Sequence, residues 1–235
     1  MPESTAHLSM ALRHKIGSLS VDLQFELMQP WTILFGPSGS GKTTILRAIA
    51  GLLTPQWGFI RQRNAGETTL FDSDTGVNLP PHRRGTPLAP QSPALFPHLT
   101  VRGNLQYGAG LGTAQLAAFG TEALLDRVPE QLSGGEAQRV SLARAALTPR
   151  PKLLLLDEPF TGLELPLRDE LMDGLLRWQS ETAVPIVSVT HDVVEALRLG
   201  AEVIKLQAGR IVDQGPVREV LEQERGGLLS QLQRH

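Results

Sequence analysis

The sequence contains no cysteine among its 235 residues. That excludes a disulfide framework, a thiolate zinc site and a cysteine nucleophile. Aromatic residues are scarce, 5% of the chain with a single tyrosine. Neither sign of charge dominates: 22 basic against 24 acidic residues give a net charge of −2. The chain therefore lacks the basic footprint of a nucleic-acid binder. No apolar run approaches the roughly 18 residues that cross a bilayer, and the start has no charged-then-apolar secretory pattern, so a cytosolic location is expected. What remains is a globular composition, 41% hydrophobic and 20% charged. At roughly 150 residues per domain, the length suggests one large domain or one carrying a small inserted lobe. Lysine is rare, 4 residues against 18 arginines, so each lysine asks for a reason.

Residues 8–28 alternate polar and apolar through Val21, Leu23, Phe25 and Leu27, which predicts antiparallel strand. Buried strands are predicted at Trp31–Phe35, Lys152–Leu156 and Pro185–Val189. Helical spacing marks Thr43–Ala50, closed by Gly51, then Val101–Arg127, Ser133–Leu147, Leu165–Ser180, Asp192–Leu199 and the last twenty residues. Hairpins are predicted over 57–72 and around Gln207-Ala208-Gly209, and 73–98 reads as a long Pro- and Gly-rich connection. Strands alternating with helices imply an α/β fold with a mostly parallel sheet.

Three motifs carry chemistry. Gly36-Pro37-Ser38-Gly39-Ser40-Gly41-Lys42-Thr43 fits the P-loop pattern and lies between a predicted strand and a predicted helix. Its glycines let backbone N–H groups approach phosphate oxygens, and the helix start adds a positive end. Lys42 is expected to be exposed and to reach the β- and γ-phosphates, with the Thr43 hydroxyl on Mg²⁺. The bland alternative is a Gly-rich turn without a ligand. Leu153-Leu154-Leu155-Leu156-Asp157-Glu158 is a strand ending in carboxylates: Asp157 suits Mg²⁺ held through water, and Glu158 could polarise an attacking water. Leu132-Ser133-Gly134-Gly135-Glu136 reads as a capping box, Ser133 with Glu136. That reading leaves two adjacent glycines unexplained, and glycines at a helix start allow a phosphate to approach.

These motifs, with Thr190-His191-Asp192 after the third buried strand, come in the order found in ABC-transporter ATPases, and the resemblance covers essentially the whole chain. It implies a P-loop NTPase core (1–90 and 133–235) with an antiparallel β subdomain, and an inserted segment, 91–132, made of the Q-loop and a helical subdomain. By that resemblance Gln91 touches Mg²⁺, and Ser133, Gly134 and Gly135 bind the γ-phosphate of ATP held by a second copy. His191 contacts the γ-phosphate as a switch, and Thr44 belongs to the phosphate loop. Leu95–Gly108, with Leu125-Asp126-Arg127, is most similar to oxyanion importers, molybdate importers in particular. Leu95 and Phe96 are expected to form an exposed apolar pair that docks on a membrane partner.

The resemblance implies a homodimer sandwiching nucleotide beneath separate permease subunits. The dimer would be peripheral on the cytoplasmic face of the membrane, fed indirectly by a periplasmic binding protein, with no nucleic-acid partner. Other readings are an importer for sulfate, polyamine or sugar, a soluble ABC-type ATPase, and a non-catalytic nucleotide-binding scaffold. Two departures stand out. Residues 10–18 hold no aromatic ring to stack on adenine, which leaves Arg13 or His14 as a weak substitute. The segment after Glu158 reads Gly162-Leu163-Glu164 where relatives end Leu-Asp, which puts a contact across the dimer in doubt. The chain ends at His235, so no ligand-sensing C-terminal domain is expected.

Overall fold

The computed structural model describes residues 6–63, 66–107 and 119–232. The chain divides into two units, residues 1–84 with 187–235, and residues 85–186.

The first unit opens with β1 (Leu8–Ile16), β2 (Leu19–Leu27), β3 (Trp31–Phe35), α1 (Lys42–Ala50), β4 (Trp57–Arg63), β5 (Glu67–Asp72), β6 (Val77–Asn78) and the one-turn α2 (Pro81–Arg84). An antiparallel sheet runs in the order β2-β1-β4-β5-β6. In β2 the period of two is followed residue by residue: Val21, Leu23, Phe25 and Leu27 are buried, while Ser20, Asp22, Gln24 and Glu26 face out. Each such side chain contributes roughly 1.5–3 kcal/mol over an exposed one.

The second unit contains β7 (Leu88–Ala89), α3 (Val101–Gln106), α4 (Gly134–Ala146), β8 (Leu154–Asp157) and α5 (Leu165–Thr182). β7 runs parallel to β8, with Leu88 opposite Leu155. The chain then returns to the first unit through β9 (Ile186–Thr190), α6 (Val193–Leu199), β10 (Glu202–Gln207), β11 (Arg210–Pro216), α7 (Val217–Val220) and α8 (Glu222–Leu232). Here the strand order is β11-β10-β3-β9, with β10 parallel to β3 and antiparallel to β11. β3 and β9 are buried along their whole length, as strands covered on both faces are. Their few polar groups pair internally: Trp31 Nε1 donates to Ser188 Oγ at 2.9 Å, and Thr32 Oγ1 donates to Glu202 Oε2 at 3.2 Å.

The connection over 73–98 is more structured than its composition suggests, because it holds β6, α2 and β7. Strands of two residues leave no alternation to detect. Over 101–127 the helical expectation is met by α3 and a short 3₁₀ turn at Glu122–Leu124; residues 108–118 of that prediction lie outside the described residues. The last three residues of the expected terminal helix lie outside them too.

Candidate nucleotide site

The P-loop joins β3 to α1 in the first unit. Gly36 leaves β3 so tightly that a Cβ there would lie 2.2 Å from the Leu206 carbonyl oxygen, so no side chain fits. Ser40 N–H bonds the Pro37 carbonyl at 3.2 Å, and the Ser40 carbonyl accepts from Gly209 N–H at 3.1 Å. Pro37, Ser38, Gly39 and Thr43 are exposed, Thr44 is half-buried, and Gly36, Ser40, Gly41 and Lys42 are buried. The buried Ser40 hydroxyl has no hydrogen-bond partner among the described residues. Helix α1 begins at Gly41 with φ +103, where a side chain would be strained. It has no side-chain cap and no acid in its first turn.

Lys42 corrects the expectation of an exposed side chain: it is only 5% accessible. Its Nζ donates to the Gly36 carbonyl at 2.7 Å and the Pro37 carbonyl at 2.8 Å. The loop curls around its own lysine, whose aliphatic stem is buried while the ammonium sits at the carbonyls beside the phosphate-ready amides.

His191 belongs to the same unit, and with Gly36 and Pro37 it lines a cavity of about 340 Å³. The turn that presents it is tightly bonded. Thr190 Oγ1 donates to Glu195 Oε2 at 2.6 Å and accepts from Asp192 N–H at 3.0 Å, and Asp192 Oδ1 caps α6 through Val194 and Glu195 N–H. Glu195 was not singled out from the sequence, although its place three residues after Asp192 is capping-box spacing.

The second unit holds a second cluster. Asp157 ends β8 and is buried. Glu158 follows with φ +45, a strained value for a non-glycine residue and of a kind that gathers at functional sites. Its Oε2 accepts from Gln91 Nε2 at 3.1 Å and from Thr161 Oγ1 at 3.1 Å. Gln91 and Glu158, 67 positions apart in sequence, are thus brought together. Thr161 was not anticipated. Gln138, buried on α4, donates to the Pro159 carbonyl at 3.1 Å and ties that helix to the same turn.

Ser133 caps α4, and the capping box is closed: Glu136 N–H bonds Ser133 Oγ at 3.2 Å while Ser133 N–H bonds Glu136 Oε2 at 2.8 Å. The Ser133 N–H, more than the nearby Arg127 charge, holds the Glu136 carboxyl below its ordinary range. The two glycines differ. A Cβ at Gly135 would lie 2.6 Å from Leu167 Cδ2, so Leu167 would have to turn aside for it. A Cβ at Gly134 would meet nothing within 4 Å. Internal packing therefore leaves Gly134 unexplained.

Of the two substitutes considered for an adenine platform, Arg13 is engaged elsewhere. It pairs with Asp22 at 3.3 Å, and its guanidinium lies 5.1 Å over the Trp57 ring. His14 is paired in register with Val21, whose methyl would stand 3.1 Å from a Cβ on Gly41, so His14 shares the P-loop side of the hairpin.

Leu95 and Phe96 are half-buried, which corrects the exposed pair. Asn104, fully buried, donates to the Phe96, Leu99 and Thr100 carbonyls and accepts from Phe96 N–H, and so folds the segment inward. Phe96 packs 4.4 Å from Tyr107, and Tyr107, 71% accessible, is the ring this segment presents. Gly108 of the same stretch lies outside the described residues. Glu164 stands at the start of α5 without capping it.

The family pattern described as ABC transporter matches residues 20–161. The chain belongs to the ABC transporter family. It is 40% identical over 218 residues to the molybdenum import ATP-binding protein ModC of Mesorhizobium japonicum, covering 89% of this chain and 58% of that protein. It is also 40% identical over 228 residues to the molybdate/tungstate import ATP-binding protein WtpC of Archaeoglobus fulgidus, covering 93% and 91%. This chain thus spans 58–60% of the length of the Mesorhizobium and Photobacterium ModC relatives. Its fold matches a solved ATP-binding subunit of an ABC transporter, with TM-score 0.75, 26% identity and 93% of each chain covered. It also matches the ATP-binding cassette MJ0796 in a dimeric post-hydrolysis state with ADP and Pi, with TM-score 0.72, 26% identity, and 90% and 99% covered. Among the described residues no helix is long and apolar enough to cross a membrane.

Proposed function

We propose that this chain is the ATP-hydrolysing subunit of an importer for molybdate or a related oxyanion, acting on the cytoplasmic face of the membrane as a head-to-tail dimer beneath separate permease subunits. A periplasmic binding protein would deliver the oxyanion. The observation that carries the ATPase reading is the joining of Gln91 to a strained Glu158 directly after the buried Asp157, in a chain that also folds a P-loop around Lys42. The substrate reading rests on the likeness to the ModC and WtpC proteins. The division into a catalytic core (1–90 and 133–235) and a helical lobe (91–132) is part of the same proposal.

In this reading Gly36–Thr44 hold the phosphates, and the orphaned Ser40 hydroxyl fits a site built to meet a polar group. Thr43, Gln91 and Asp157 would hold Mg²⁺. A hydroxyl, an amide carbonyl and a carboxylate are the hard oxygen donors that ion prefers, and Gln91 donates its amide N–H to Glu158, which leaves its carbonyl oxygen as a ligand. When bound, the ion neutralises charge on the phosphates. Glu158 orients water and takes its proton as the water oxygen attacks the γ-phosphorus; the bond to the β–γ bridging oxygen breaks, leaving ADP and phosphate. His191 stands by the γ-phosphate. Ser133 and Gly134 of each copy close on the nucleotide of the other, with Gly135 keeping α4 close to its own α5.

The test is co-expression with a candidate permease, co-purification, and ATPase assay with each oxyanion and its binding protein. Stimulation by molybdate and not by sulfate supports the proposal. Hydrolysis unchanged in Lys42→Ala overturns it.

A further inference from the structure

Arg84 is a fully buried arginine, 0% accessible, and it lies outside the three motifs. Burial pushes its pKa down. Its hydrogen bonds explain why it is tolerated inside. Nη1 donates to the Ala48 carbonyl at 2.7 Å and the Ile49 carbonyl at 3.0 Å, Nε to the Leu79 carbonyl at 2.7 Å, and Nη2 to Asn78 Oδ1 at 2.8 Å. Ala48 and Ile49 belong to the last turn of α1, where the dipole is negative, and the Ala48 carbonyl also accepts from Gly51 N–H at 3.2 Å.

Helix α1 is unevenly finished. At its phosphate-facing end it has no side-chain cap and no acid, and its first residue is the cation Lys42. Those choices weaken a helix start. At its other end Arg84 binds two carbonyls, and the Arg47 carbonyl accepts from Leu52 and Leu53 N–H at 2.8 and 3.1 Å. Gly51 completes the fit: a Cβ there would stand 2.6 Å from Arg84 Nε. A nine-residue helix is too short to persist on its own propensity. Its buried Ile45, Leu46 and Ile49 hold it by packing, and the bonds at its C-terminal end fix that end in addition.

We propose that Arg84 is a positioning residue for the phosphate site, clamping the C-terminal end of α1 so that its uncapped N-terminal end stays ordered for nucleotide. The inference rests on the nucleotide reading above. It also explains why a charge is kept inside the first unit at the last residue before the chain enters the second.

The test uses the full chain as wild type, Arg84→Lys and Arg84→Met, with Lys42→Ala as a marker for the nucleotide reading itself. Mant-ATP is titrated well below each melting transition, and amide exchange is followed without nucleotide. Arg84→Met is expected to weaken mant-ATP binding on the order of tenfold and to speed exchange over residues 43–47 while β3 stays protected. Arg84→Lys keeps the charge with one nitrogen in place of three, and falls between. A lower melting temperature with wild-type affinity and wild-type exchange over 43–47 overturns the proposal and makes Arg84 a packing residue. If Arg84→Met does not fold, the same two measurements on Arg84→Lys decide it in the same way. If the wild type binds no mant-ATP, or Lys42→Ala binds it equally well, the nucleotide reading fails, and a Kd raised in the Arg84 variants alone has no phosphate site to explain it.

Discussion

Helix α1 starts at Gly41, which has no side chain to cap it, whereas α4 starts at Ser133 with a reciprocal pair of bonds to Glu136. Both starts are glycine-rich, and both belong to motifs associated with a phosphate. The contrast separates two ways of meeting an anion. The α1 start is unfavourable alone, because a cation occupies its first position, and it gains most from a ligand that supplies negative charge. The α4 start already has its own carboxylate and is stable alone, so a phosphate reaching it meets a finished helix and one open side, at Gly134. An unfinished end suits a site that binds first. A finished one suits a surface that engages later, on nucleotide held by another copy.

The largest expected effect comes from holding both starts engaged. Glu158→Gln keeps the shape and can still bond Thr161 and a water, but it cannot accept the proton. Hydrolysis should fall by about 10²–10⁴, and the protein should run as a dimer in size-exclusion chromatography with Mg·ATP. Adding Ser133→Arg should crowd the α4 start and return the elution to the monomer position. A Glu158→Gln protein that hydrolyses ATP at the wild-type rate removes Glu158 from the chemistry.

Lys42→Ala comes next and acts on α1 alone. ATP binding should be lost. Because the ammonium also bonds the Gly36 and Pro37 carbonyls inside the structure, stability should fall as well, by about 2 kcal/mol. Denaturant melts without nucleotide measure that second loss, and an unchanged midpoint would show that the two carbonyl bonds contribute nothing net.

This double role was not legible in the sequence. Gly36–Thr43, β3 and α1 were readable because strand, glycines and lysine are contiguous and the phosphate requirement fixes their order. The capping box of α4 was readable for the same reason, since Ser133 and Glu136 are three apart. Arg84 was hidden because its partners on α1 are backbone carbonyls 35 and 36 positions away, and a carbonyl has no identity to read. Asn104 was hidden likewise: its bonds to the Phe96, Leu99 and Thr100 carbonyls bury a segment whose leucine and phenylalanine look exposed in sequence. The Gln91–Glu158 contact was not anticipated: the resemblance put Gln91 on Mg²⁺, and no local pattern joins residues 67 apart.

A smaller effect tests the α4 side. Gly134→Ala places a methyl in open space and relieves the helix of a glycine, so the nucleotide-free chain should gain about 0.5 kcal/mol. ATP-driven dimerisation of the Glu158→Gln background should nevertheless weaken. A stabilised protein that still dimerises fully would leave Gly134 with no part in the interface and would reduce α4 to a self-contained helix.

The smallest effect is a pH dependence at the α4 start. Glu136 has its carboxyl lowered first by the Ser133 N–H and less by Arg127, 3.1 Å away. A carboxyl whose pKa is lower folded than unfolded binds fewer protons in the native state at intermediate pH. Its stabilisation is therefore complete above the unfolded carboxylate value and disappears as pH falls through the folded one. The pair is partly exposed, Arg127 at 47% and Glu136 at 30%, so solvent screening limits the effect to about 0.5 kcal/mol. Urea midpoints of wild type and Glu136→Gln should differ near neutral pH and converge on acidification. A Glu136→Gln difference that persists at acid pH would show that the carboxylate charge is not what finishes the α4 start.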